Sequence, residues 1–151
     1  MIKFAKILQG HIILYAIIHT IHIFSVFIYG GFLFTDNLFM AKMKQSLDDN
    51  EATKAREAIM MHVRKIVPKA LILAVITGIY LFTQVFGEIE PEGLSHFQIL
   101  LCIKAFFGLW LGLRGILQVF FGINPLVFKS HKFPFFVVIL IILLSQFMFV
   151  L

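Results

Sequence analysis

Three histidines, His11, His19 and His22, interrupt a run of 29 residues, 7–35, that holds no other acidic or basic side chain. At about 100° of helical rotation per residue, they share a sector of about 120° with Tyr15, Ser25 and Tyr29. Hydrocarbon offers such a stripe no hydrogen bonds, so it must face protein, water or a cofactor. Imidazole nitrogens ligate haem iron, copper and zinc. Alternating Tyr and His side chains can also relay protons.

Two further apolar segments repeat the habit. On one, His62, Lys69, Thr77, Tyr80 and Gln84 fall within about 80° of one another. On the next, His96, Lys104, Arg114 and Gln118 do the same. Counting residues by turns gives approximate depths. One half of a bundle would collect His11, Tyr15, His19, His22, Thr77, Tyr80, Gln84, His96, Lys104 and Gln146. The other half would hold Tyr29, Lys69, Arg114 and Asp36, with His62 at the membrane edge. Lys104 lies about 12 Å of helical rise beyond His96. At that depth an ammonium needs a partner or water.

Several chemistries fit this cluster. Haem b would take His22 or His19 as one axial ligand, with His11, His96 and His62 as further candidates for the other. Lys104, Lys69 and Arg114 would then hold propionates or substrate carboxylates, with Tyr80 in the same cluster, and 19 phenylalanines suit a porphyrin pocket. A smaller metal, copper above all, would draw on His22, His19 and His96, or on His11 with the latter two. The third possibility is that the polar groups only join helices by hydrogen bonds. His131 and His62 fall at the interface, and Cys102 lies more than about 100° off the stripe of its helix. The pattern leans toward oxidoreductase chemistry and singles out no catalytic residue. There is no phosphate-binding glycine loop, GxSxG or HExxH.

The elements that must position these residues follow from composition. Of 151 residues, 60% are hydrophobic and 14% charged, far from the balance of a soluble domain. The expectation is an all-α, polytopic transmembrane four-helix bundle forming a single domain over 1–151. Its spans fall at about 9–35, 69–87, 97–121 and 133–151. Lys3 and Lys6 before the first run imitate a signal peptide, but the run is about twice the length of an h-region, so it is expected to be retained. One cysteine excludes an internal disulfide framework, and without a CxxCH motif c-type haem attachment is excluded.

The connection 36–68 is the long polar one. The first span should overrun into it through Phe39, Met40 and Met43. Asp48, Asp49 and Asn50 then offer an N-cap with acidic residues at the positive helix end. From Glu51 the chain should be helical into the second span, with a kink at Pro68. Pro91 and Gly93 make the second connection a turn carrying Glu88, Glu90 and Glu92. Pro134 suits the first turn of the last span. Gly108, Gly112 and Gly115 form a small-residue pattern expected to pack closely against a neighbour.

Basic residues set the orientation. Lys42, Lys44, Lys54, Arg56, Arg64, Lys65, Lys69, Lys129 and Lys132 belong to one side, and Lys3 and Lys6 to the other. Nine against two places the first and third connections in the cytoplasm and both termini outside a bacterial-type inner membrane. The net charge of +5 is therefore a topology signal, and no nucleic-acid partner is expected.

The stretch from His22 through Tyr29, Gly30, Gly31, Phe32, Leu33 and Phe34 resembles the first span of a loose group of small membrane proteins. These are the HemJ-type protoporphyrinogen oxidases and the CopD-like copper-resistance domains. Arg64, Lys65 and Pro68 leading to Gly78 and Tyr80 are similar to their second span, and Lys104 to the lysine of their third. Thr35-Asp36-Asn37 stand where the group has Pro-Arg, and Leu113-Arg114 where it has a late histidine. The resemblance implies a bundle of about four spans with a histidine-based haem b or metal site centred on His22. The expected function is a haem b-binding membrane redox protein passing electrons between haem and a quinone or porphyrin-type partner. A copper transport or tolerance component is the alternative, as is a non-catalytic subunit or assembly factor. Partners would be membrane lipid, other membrane subunits or a second copy of the chain.

Overall fold

The computed structural model describes residues 2–89, 91–120 and 132–150, and the backbone alone for residues 2–9, 44 and 118–120. The Glu90 position, the connection 121–131 with Lys129 and His131, and the Gln118 side chain lie outside the described residues. Within them the chain is helical: α1 (Ile2–Leu38), a 3-10 turn (Met40–Gln45), α2 (Asp49–Val85), α3 (His96–Phe120) and α4 (Lys132–Phe147).

Helix α1 extends the apolar run at both ends. Its 37 residues rise about 55 Å, well beyond a hydrocarbon core of about 30 Å. It starts at Ile2, earlier than the apolar pattern indicates, because nothing between Ile2 and Gln9 breaks a helix. Helix α2 is also 37 residues long and passes through Pro68 without interruption. The missing proline N–H deprives only the Arg64 carbonyl of its donor. Asp48 is the N-cap, in extended conformation, and its carboxylate accepts from the Asp49 N–H at 3.0 Å. Asp49 and Glu51 place negative charge in the first turn, where the helix dipole favours it.

α1, α2 and α3 are each long and apolar enough to cross a membrane. α4 is shorter than the expected span 133–151. It has 16 residues, about 24 Å of rise, and ends at Phe147. Two three-residue hydrogen bonds, Phe149 N–H to Gln146 O and Val150 N–H to Phe147 O, then tighten the chain into a turn. Pro134 sits in the first turn of α4, as its lack of an N–H permits, and is fully buried.

Each helix packs on its neighbour in sequence, and α4 returns to α1, closing a four-helix bundle. The shared core is Tyr29 and Leu33 of α1, Leu71 of α2, Leu111 of α3, and Val137 and Val138 of α4. Two glycines of α3 bring that helix against α2: a Cβ at Gly112 would run into Val75, and one at Gly115 into Leu71. Gly108 has open space instead, so the expected packing face is Gly112 and Gly115 only. The long connection is latched to the bundle by an ion pair, Arg56 to the buried Asp36 at 3.0 Å.

Candidate functional site

The polar stripe of α1 divides in two. Ser25 and Tyr29 are buried and His22 half-buried, whereas His11 and His19 are exposed. The buried core on α1 lies at Tyr29 and Leu33, and the two exposed histidines precede it along the helix.

His22 is the one histidine of α1 with a bond to another helix among the described residues. Its Nδ1 lies 3.0 Å from the Ala74 carbonyl oxygen and 3.0 Å from Thr77 Oγ1. The tautomer follows from the partners. A carbonyl oxygen can only accept. The Thr77 hydroxyl donates at 2.6 Å to the Leu73 carbonyl of its own helix, leaving Oγ1 an acceptor too. Nδ1 must therefore carry the hydrogen, and the neutral ring keeps its lone pair on Nε2. Gly78 makes the approach possible, since a Cβ there would stand 3.1 Å from His22 Cε1. A backbone carbonyl holding one imidazole nitrogen while the other is left as a ligand is the usual support of a metal-bound histidine.

Around His22, the half-buried Lys104 of α3 and His19 one turn away are near enough to act on it electrostatically. Lys104 has no ion-pair partner among the described residues. His19 contacts the Tyr15 ring, centroids 5.7 Å apart and planes tilted by 35°. Ser25 is satisfied within its own helix, donating to the Ile21 carbonyl at 2.8 Å.

The other candidates lie elsewhere. Arg114 is buried beside the buried Tyr29 hydroxyl, forming a second polar centre two turns from His22. Lys69 is exposed on the flank of α2, and Tyr80 is half-buried farther along the same helix. His62 is exposed and its Nδ1 faces the Ala58 carbonyl of its own helix at 3.2 Å. His96 is exposed at the start of α3. Among the described residues no three His, Cys, Asp or Glu side chains form a metal-holding group. His22, His19 and His96 are thus not gathered within one chain.

Two supporting features were not anticipated. The acceptor of His22 is a main-chain carbonyl, which side-chain periodicity cannot reveal. The entry of α3 is fixed by a reciprocal capping box. The Ser95 N–H donates to Gln98 Oε1 at 3.0 Å, and the Gln98 N–H to Ser95 Oγ at 3.3 Å. Gln98 Nε2 also donates to the carbonyls of Phe86 and Glu88, at 2.8 and 3.0 Å, tying α3 to the end of α2. The S-x-x-Q spacing at 95–98 is the signal that could have disclosed it.

Fold and site together define a class, a helical membrane bundle with an oriented imidazole and a half-buried lysine between its helices. No family model, no curated protein and no solved structure matches the chain.

Proposed function

We propose that this protein is a haem b-binding membrane redox protein with His22 Nε2 as an axial ligand. The observation that carries the reading is the Nδ1 contact to Ala74 O, which orients the ring and leaves Nε2 as its lone-pair nitrogen. The donor set fits one axial position. His19 is on the same helix face, one turn away, and cannot stand on the opposite side of a porphyrin. His11, His62 and His96 are exposed at other places in the bundle. Among the described residues, no other histidine stands beside His22 from a different helix to join it in holding the haem.

Bound haem would supply one-electron transfer with a quinone or porphyrin-type partner. His22 would fix the iron, Thr77 and Ala74 would fix His22, and Lys104 would neutralise a propionate. Arg114 stands beside Tyr29, and Lys69 is exposed on the flank of α2. The membrane is proposed to be a bacterial-type inner membrane, with the connection 36–68 in the cytoplasm and both termini outside, from the distribution of bases.

The same contact also favours a second reading, in which His22, Thr77 and Lys104 only join helices. An absorption spectrum of protein purified from haem-replete cells separates the two. The proposal expects a Soret band that sharpens with an α band on reduction, and its loss in His22→Ala. A haem-free protein that also fails to take up added haemin would leave the packing reading.

A further inference from the structure

On the flank of the bundle away from His22, α1 and α2 border an open groove of about 500 Å³. Its walls are apolar: Ile21, Phe24 and Ile28 from α1, Ile66 and Leu73 from α2. Phe24 is 64% exposed and Ile66 55%. These surfaces lie within membrane-crossing helices, so the medium that meets them is lipid. Two hydroxyls also line the groove, but both are spent: Thr20 donates to the Ala16 carbonyl and Ser25 to that of Ile21, each at 2.8 Å.

One end of the groove carries charge. Lys65 and Lys69, four residues apart on α2, both line it and both are exposed. Side chains at this spacing are neighbours about 6 Å apart, close enough to converge on one anion. No acidic residue lines the groove. Neither lysine has an ion-pair or hydrogen-bond partner among the described residues. The apolar floor runs about 12 Å along α1 from Thr20 to Ile28. Two ammonium groups beside an apolar channel on a membrane-facing flank match an anionic amphiphile.

We propose that this groove is a binding site for an anionic phospholipid of the surrounding bilayer. Lys65 and Lys69 hold the phosphate, and one acyl chain lies between α1 and α2 over Phe24, Ile28 and Leu73. The lysines occupy the side that the base count assigns to the cytoplasm, where the leaflet surface is negative. The site is independent of any haem at His22.

Native mass spectrometry of the full chain in detergent tests it, with phosphatidylglycerol, phosphatidylcholine and inorganic phosphate as probes. Phosphatidylglycerol should be retained in preference to phosphatidylcholine. Lys65→Gln and Lys69→Gln should each lower that preference about fivefold, the effect of one basic residue at an anionic surface. Lys42→Gln and Lys54→Gln, which remove the same charge outside the groove, should leave it unchanged. Equal retention of the two lipids by the unaltered protein overturns the proposal without any variant. So does an equal effect of the control substitutions. Displacement of the lipid by inorganic phosphate would assign the lysines to a free anion and overturn it as well.

Discussion

Replacing Thr77 by Val removes one oxygen from the His22 site and changes little else in volume. Thr77 Oγ1 accepts from His22 Nδ1 at 3.0 Å while its hydrogen is given to Leu73 O at 2.6 Å. The hydroxyl–carbonyl bond is local to α2 and is lost whether or not His22 is present. The imidazole contact is lost only when His22 is there to feel it. A double-mutant cycle with Thr77→Val and His22→Leu isolates that second part. Side-chain hydrogen bonds between membrane helices couple by about 0.6 kcal/mol on average and at most about 1.7 kcal/mol. Nδ1 keeps Ala74 O as a second acceptor at the same 3.0 Å, so the lower part of that range applies. The expected coupling is about 0.5–1 kcal/mol, read from unfolding in mixed micelles followed by circular dichroism. A coupling near zero would mean that Thr77 does not hold the ring. A coupling several times larger would mean that Ala74 O does not share the bond and that the tautomer argument rests on the wrong acceptor.

Gly112→Ala should lower bundle stability by about 1–3 kcal/mol in the same unfolding assay, because the new methyl meets the stiff, β-branched Val75. Gly108→Ala, at a position with open space, should be neutral or stabilising by up to about 1 kcal/mol, and a reversal of this order would contradict the α2–α3 packing. In a cysteine-free background, a cysteine at Asp49 should react with an impermeant thiol reagent only after permeabilisation, and one at Glu92 in intact cells. Labelling of the Asp49 site alone in intact cells would invert the orientation.

How much of this was legible in the sequence depends on the scale. The 29-residue apolar run announced α1, and Asp48 followed by acidic residues announced the start of α2. These are local signals, fixed by hydrogen bonding within one helix. Depth counting also placed Tyr29 with Arg114 in one half of the bundle, and the structure joins them. It placed His22, His19 and Lys104 in the other half, where they are electrostatic neighbours. What a helical wheel cannot supply is the identity of the facing surface. The stripe on α1 reads as one continuous interior face, yet His11 and His19 are exposed while Ser25 is buried. The Ala74 carbonyl escaped for a related reason, since main-chain acceptors carry no residue-type signal. Ser95 and Gln98 do carry one, the S-x-x-Q spacing of a capping box at the start of α3.

The central claim is that His22 is held through Nδ1 with Nε2 presented as its free nitrogen. Nitrogen-15 NMR of histidine-labelled protein without added haem, with His22 assigned by comparison with His22→Gln, tests it directly. The account predicts a protonated, pyrrole-type Nδ1 and an unprotonated, pyridine-type Nε2 for the neutral ring. A neutral His22 with its hydrogen on Nε2 would contradict the account, because the Ala74 carbonyl would then face a lone pair and the ring could not be oriented as described.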